Sequence, residues 1–142
     1  MTTVVFENEL GLLRYHEVPG RSGIVHHEVR GFVSGEAFRQ LLLTATQVLR
    51  ERHATKWLSD DRLVTSLDSA DITWGGKYWW QQAIDSGWKY WAILAPVSAD
   101  GRAAFQVSGF AMRAVIESKL TVRFFTEPEA ALAWLRDVDA AP

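Results

Sequence analysis

Cysteine is missing from all 142 residues, and its absence removes disulfides, thiolate metal sites and cysteine nucleophiles together. A reducing compartment is permitted. Excess positive charge is missing too: fifteen basic against seventeen acidic residues leave a formal charge of −2, so no broad basic field exists to hold a nucleic-acid backbone. No stretch approaches about eighteen consecutive apolar residues. The start, MTTVVFENELGLLRYHE, lacks a basic segment followed by an apolar run and a small-residue cleavage site. These features predict a soluble, cytoplasmic protein without stable membrane insertion. Internal repeats, low-complexity tracts and interdomain linkers are also absent, which predicts a single domain over residues 1–142. A chain of this length buries roughly two thirds of the surface its unfolded form exposes.

What is present is aromatic. Five of the seven tryptophans fall in WGGKYWWQQAIDSGWKYW, from Trp74 to Trp91. That is more aromatic surface than one short helix and one strand are expected to hide, so part of it is expected to meet a partner or ligand. Projected at about 100° per residue, Gly76, Trp80, Ala83, Ile84 and Gly87 share one helix face, the expected sheet side. Trp74 and Tyr78 fall on the far side with Gln81 and Asp85, and Trp79 lies on the flank. Aromatic residues with polar neighbours are the usual anchors of interfaces.

The amino-terminal third, TVVFE, LLRYHEV and GIVHHEVRGFV, alternates in the way of antiparallel strands. Phe38, Leu42, Ala45 and Leu49 then form a helical stripe, with Ser34 as the expected cap. A short strand TKWLSD, a polar loop over about 60–68, a helix from Ser69, the strand KYWAILA and a helix from about Arg102 to Ser118 follow. The strand TVRFF and a Thr126-Glu127-Pro128-Glu129 capping box introduce the last helix, after which the DAAP tail is expected to fray. The predicted class is α/β: a mixed sheet, antiparallel first and then parallel, with about four helices. The helix after Pro96 carries two stripes, Phe105/Gly109/Met112/Ile116 and Ala103/Val107/Phe110/Ala114, about 200° apart. One faces the sheet; the other calls for a second helix, a partner or a ligand.

GFVSGEAFRQLL, the KWLxDxR strand end, Trp74 early in a helix, GWKYWAILAP and TVRFFTEPEAALAWL, in that order, resemble the STAS-like, SpoIIAA-like small bacterial domains. The resemblance spans about Val29 to Leu135. It implies the fold of the anti-sigma-factor antagonists, and with it a regulatory serine, which falls on Ser69 in Leu67-Asp68-Ser69-Ala70-Asp71. An ordinary helix cap explains the same residues.

Strand ends carrying Asp60 with Arg62, Ser98 and Thr126 form a crevice candidate, although an acid and a base two apart also simply pair. His26 and His27 point to opposite faces of a strand. No H-x-x-x-H pair supports a metal, no cofactor motif is present, and no nucleophile has a base beside it. The expected function is therefore non-enzymatic: a regulatory or protein-interaction module that forms a homodimer or binds a regulatory partner. The alternative is a binder of a small apolar or lipid-like ligand between helices and sheet. The candidate ligand or interface residues are Trp57, Asp60, Arg62, Trp74, Tyr78, Trp79, Phe105, Phe110 and Met112.

Overall fold

A computed structural model describes residues 1–106 and 119–140. One six-stranded sheet runs through them in simple sequence order: β1 (Thr2–Glu7), β2 (Gly11–His16), β3 (Ile24–Val33), β4 (Lys56–Leu67), β5 (Tyr90–Leu94) and β6 (Thr121–Phe125). The first three strands are antiparallel neighbours, and β3 through β6 are parallel. The class is the mixed α/β expected from the change in hydrophobic period. Helix α1 (Gly35–Glu51) connects β3 to β4, and α5 (Pro128–Asp137) follows β6. Between β4 and β5 the chain passes without a break through α2 (Ser69–Trp74), a π-helical turn (Gly75–Trp79) and α3 (Trp80–Asp85). Residues 99–106 are helical and are called α4.

Alternation along the strands sorts side chains into two layers. Val25, Trp57 and Trp91 are register partners across β3, β4 and β5, and they pack in the larger core with Leu42, Ala45 and Leu49 of α1 and with Trp79, Trp80 and Ala83. One residue along, Leu58 and Ala92 face the other way, against Ala131 and Leu135 of α5. Lys56, on this second side, is fully buried; its Nζ lies 2.7 Å from Asp139 and 3.4 Å from the Arg136 carbonyl. A cation at the carboxyl end of a helix meets the negative end of its dipole. Arg21 also bonds Asp137 and the Arg136 carbonyl, so Asp139, the first residue of the expected frayed tail, is tied down.

Four local expectations are corrected. The polar stretch after Asp60 is strand, not loop: β4 continues to Leu67 by pairing Leu63–Leu67 with Arg30–Val33 through two register shifts. Gly31, at φ +74° beside one of these shifts, takes a backbone conformation that side chains resist. Ser34 precedes α1 but makes no side-chain cap bond. Its role passes to Asp71, whose carboxylate accepts from the Gly35 N–H at 2.6 Å and from Arg39 Nε at 2.8 Å; an ionised acceptor bonds an amide more strongly than a hydroxyl does. The Thr126 capping box is not formed either, because the cap position falls on Glu127 with Pro128 in the first turn. At α2, Asp68 is the cap, accepting from the Ala70 and Asp71 amides, which leaves Ser69 exposed and without a cap bond.

The fourth correction concerns the tryptophan-rich helix. Gly75 is buried and Gly76 exposed, the reverse of what a regular 3.6-residue helix predicts. The π-helical turn holds an extra residue per turn, and the phase slips there. Consecutive Trp79 and Trp80 consequently both turn inward, at 5% and 8% exposure.

Candidate functional site

A cavity of about 130 Å³ lies between the sheet and the helices on the α1 side. His27 from β3, Trp57 and Ser59 from β4 and Trp91 from β5 line it from the sheet. Phe38 and Leu42 of α1 form one wall; Ile72, Gly75, Trp79 and Trp80 close it from α2 to α3. Trp88, just before β5, and Phe105 of α4 complete the apolar lining, while Asp61, Asp68 and Asp71 bring carboxylates to it.

Five indoles surround this space as one contact network. Trp80 stacks on Trp88 with centroids 5.3 Å apart and planes 10° apart; Trp57 meets Trp79 edge-on at 5.6 Å, and Trp91 meets both Trp80 and Trp88 edge-on at 5.2 Å. Edge-to-face contacts bring the positive rim of one ring to the negative face of another. Four indole N–H groups have acceptors: His27 Nδ1 for Trp57, Thr46 Oγ1 for Trp79, Ser59 Oγ for Trp91 and the Tyr90 carbonyl for Trp88. Burial of these large side chains therefore leaves those donors satisfied. The fold hides most of the aromatic run, since Trp79, Trp80, Trp88 and Trp91 are all buried, but it leaves Trp74 half-buried and Tyr78 exposed, the two residues expected on the outer side.

At the polar end, the bond from Trp57 decides the state of His27. An indole N–H can only donate, so His27 Nδ1 accepts, and the ring proton sits on Nε2, 2.8 Å from Asp61 Oδ1. Both ring nitrogens are then engaged. Ser59, the register partner of His27, has no free histidine nitrogen to activate it as a nucleophile.

Asp60 and Arg62 lie on the other face. Trp57 and Asp60, three apart on one strand, point to opposite sides of the sheet, so they do not share a crevice. Asp60 is 4% exposed and receives Arg62 Nε and Nη2, each at 2.9 Å. Burial by itself raises its carboxyl, but the Arg62 bonds outweigh that and hold it below the usual range. Ser98 bonds the Gly101 amide at the start of α4. On the same side as Asp60, His16 Nε2 and His26 Nδ1 are 2.9 Å apart, and the buried His26 Nε2 has no partner among the described residues.

Trp74 is half-buried under the Arg39 guanidinium, 5.1 Å from its ring centre, and Tyr78 is 67% exposed. Trp57, Trp79 and Phe105 are the expected site residues that line the cavity. Phe110 and Met112, with most of both stripes on that helix, lie outside the described residues. His27, Ser59, Asp61, Trp80, Trp88 and Trp91 were missed as site residues; the signal for two of them is strand parity, since Ser59 and Asp61 share the face of Trp57. Among the described residues no group of three or more histidines, cysteines and carboxylates is placed to hold a metal, and no helix is long and apolar enough to cross a membrane.

No protein-family model and no curated protein matches the chain. Among solved structures it is similar to an uncharacterized protein from the DUF3478 family with a SpoIIAA-like fold from Shewanella loihica PV-4. The TM-score is 0.56 at 16% identity, over 92% of this chain and 98% of that one. The likeness establishes a SpoIIAA-like fold.

Proposed function

We propose that residues 1–142 act as one non-enzymatic, STAS-like binding domain of the cytoplasm, whose cavity takes up a small apolar molecule. The observation that carries this reading is the lining: five indoles, Phe38, Phe105 and aliphatic side chains around about 130 Å³. An engineered apolar cavity of about 150 Å³ stays dry and admits benzene. The engagement of both His27 nitrogens supports a binding role over hydrolysis at Ser59.

Gly75 provides the test. It lines the cavity in ordinary helical geometry, φ −57° and ψ −47°, and a Cβ added there meets nothing within 4 Å. Gly75→Leu is expected to fill the space and to raise stability by about 1 kcal/mol, because glycine is a poor helix former. Calorimetric titration with toluene should show binding to the parent and none to the variant. Equal binding to both, or none to either, removes the cavity as the site.

A second reading, a regulatory module that forms homodimers, draws on the exposed Tyr78 beside half-buried Trp74. Sedimentation at micromolar concentration should then show a dimer that Tyr78→Ser dissociates, since aromatic anchors carry much of an interface's energy. A parent that is monomeric throughout defeats that reading.

A further inference from the structure

We propose that the occupant of this cavity is a small amine or other organic cation, held by the Asp61 carboxylate and by the faces of the surrounding indoles. The inference rests on the cavity being a ligand site and adds the charge of what fills it. Three carboxylates and, among the described residues, no lysine or arginine line the space. Two of the three are already engaged. Asp71 accepts from the Gly35 amide and pairs with Arg39, and Asp68 caps α2.

Asp61 differs. Its side chain is 14% exposed, and among the described residues its one partner is His27 Nε2. Because Trp57 donates to the other ring nitrogen, that partner is a neutral imidazole, and among the described residues the carboxylate lacks a counter-charge. A largely buried charge is costly until an opposite charge or several hydrogen bonds compensate it. Aromatic faces supply the complementary half, since the negative π-face of tryptophan attracts ammonium groups more strongly than those of tyrosine or phenylalanine do. A ligand with a carboxylate or phosphate head meets the opposite situation, like charge at Asp61 with no cation among the described lining residues to offset it. A cationic head bonded to Asp61, with its apolar body among Trp57, Trp79, Trp80 and Trp88, satisfies both ends of the site.

Three probes of similar size and different charge decide it: toluene, benzylammonium and benzoate, titrated calorimetrically into the whole chain at neutral pH. Benzylammonium is expected to bind about tenfold or more tightly than toluene, and benzoate more weakly than toluene. Asp61→Asn should bring benzylammonium down to the toluene level while leaving toluene unchanged. Benzoate binding as tightly as benzylammonium, or a preference for benzylammonium that survives Asp61→Asn, overturns the inference. If Asp61→Asn does not fold, the order of the three probes on the parent protein still decides. Toluene bound without any preference for the cation leaves the apolar site standing and removes only its charge selectivity. No binding by any probe removes both.

Discussion

Truncating Trp57 to alanine is expected to cost about 3–5 kcal/mol, the range for deleting a large buried aromatic side chain. Trp57 is 1% exposed at the centre of the indole network, 4.9 Å from Trp88, 5.6 Å from Trp79 and 6.1 Å from the His27 ring. Its loss joins a new void to the existing cavity, so the surrounding side chains have little to collapse onto. It also leaves His27 Nδ1 without its donor, and a stranded buried polar atom costs about 1–3 kcal/mol by itself. Trp57→Phe separates the two effects in part, because it keeps one aromatic ring in the network while removing the N–H and the five-membered ring that carries it. That variant should fall nearer the cost of the lost hydrogen bond. Urea unfolding at constant slope is the measurement; a loss below about 1 kcal/mol for Trp57→Ala would show that the indoles are not closely packed.

The parts of the fold that were legible in the sequence are those where one physical signal dominates. Alternation in TVVFE, LLRYHEV and GIVHHEVRGFV marks strands, and in β2 burial follows the alternation residue by residue. The Leu42, Ala45 and Leu49 stripe of α1 is buried as its spacing requires. Where two signals compete, local composition misleads. Asp61-Arg62-Leu63-Val64-Thr65-Ser66-Leu67 opens on a charged pair that reads as a polar loop, yet it pairs with the far end of β3, a non-local interaction that local composition does not contain. The cap of α1 comes from Asp71, thirty-six residues beyond the amide it binds.

The site was half legible for related reasons. Trp57 is visible by size, but the polar residue that stands out beside it is Asp60, whose acid-base spacing with Arg62 suggests chemistry. Parity gives the better answer: from a buried tryptophan the same face continues to Ser59 and Asp61. Projection of the Trp74–Trp91 segment fails at Gly75 because a constant 100° step cannot represent a π-helical turn. The pair of adjacent glycines, with weak helix propensity and no side chains to enforce register, is the one local hint of irregularity.

Stability is expected to fall by several kcal/mol as the pH drops from about 6.5 to about 3, through the His16–His26 pair. In the folded protein His16 is lowered to about 4 and His26 to about 3. The leading cause for both is burial, which disfavours the charged ring; Arg14 adds repulsion to each, Arg136 and the amino terminus add it to His16, and the two rings repel each other's charge once one is protonated. The geometry agrees. Thr2 Oγ1, His16 and His26 form a chain of bonds at 2.7 and 2.9 Å that ends in His26 Nε2, which has no partner among the described residues, with the rings stacked at 5.1 Å.

In the unfolded chain both rings protonate near the ordinary value of about 6.5. Between there and the folded values the unfolded state binds more protons, so acid favours unfolding. Every pH unit that separates a folded value from the unfolded one corresponds to about 1.4 kcal/mol, and water around half-buried His16 reduces its share. Below about pH 4, protonation of Asp60 adds to the loss in the same direction, since its folded carboxyl is held low by Arg62. The double variant His16→Gln, His26→Met removes both rings and should flatten the decline between about pH 6.5 and pH 4 while leaving the Asp60 part below it. Chemical unfolding at a series of pH values measures the slope directly. An acid limb equally steep in parent and double variant would show that the protons are taken up elsewhere.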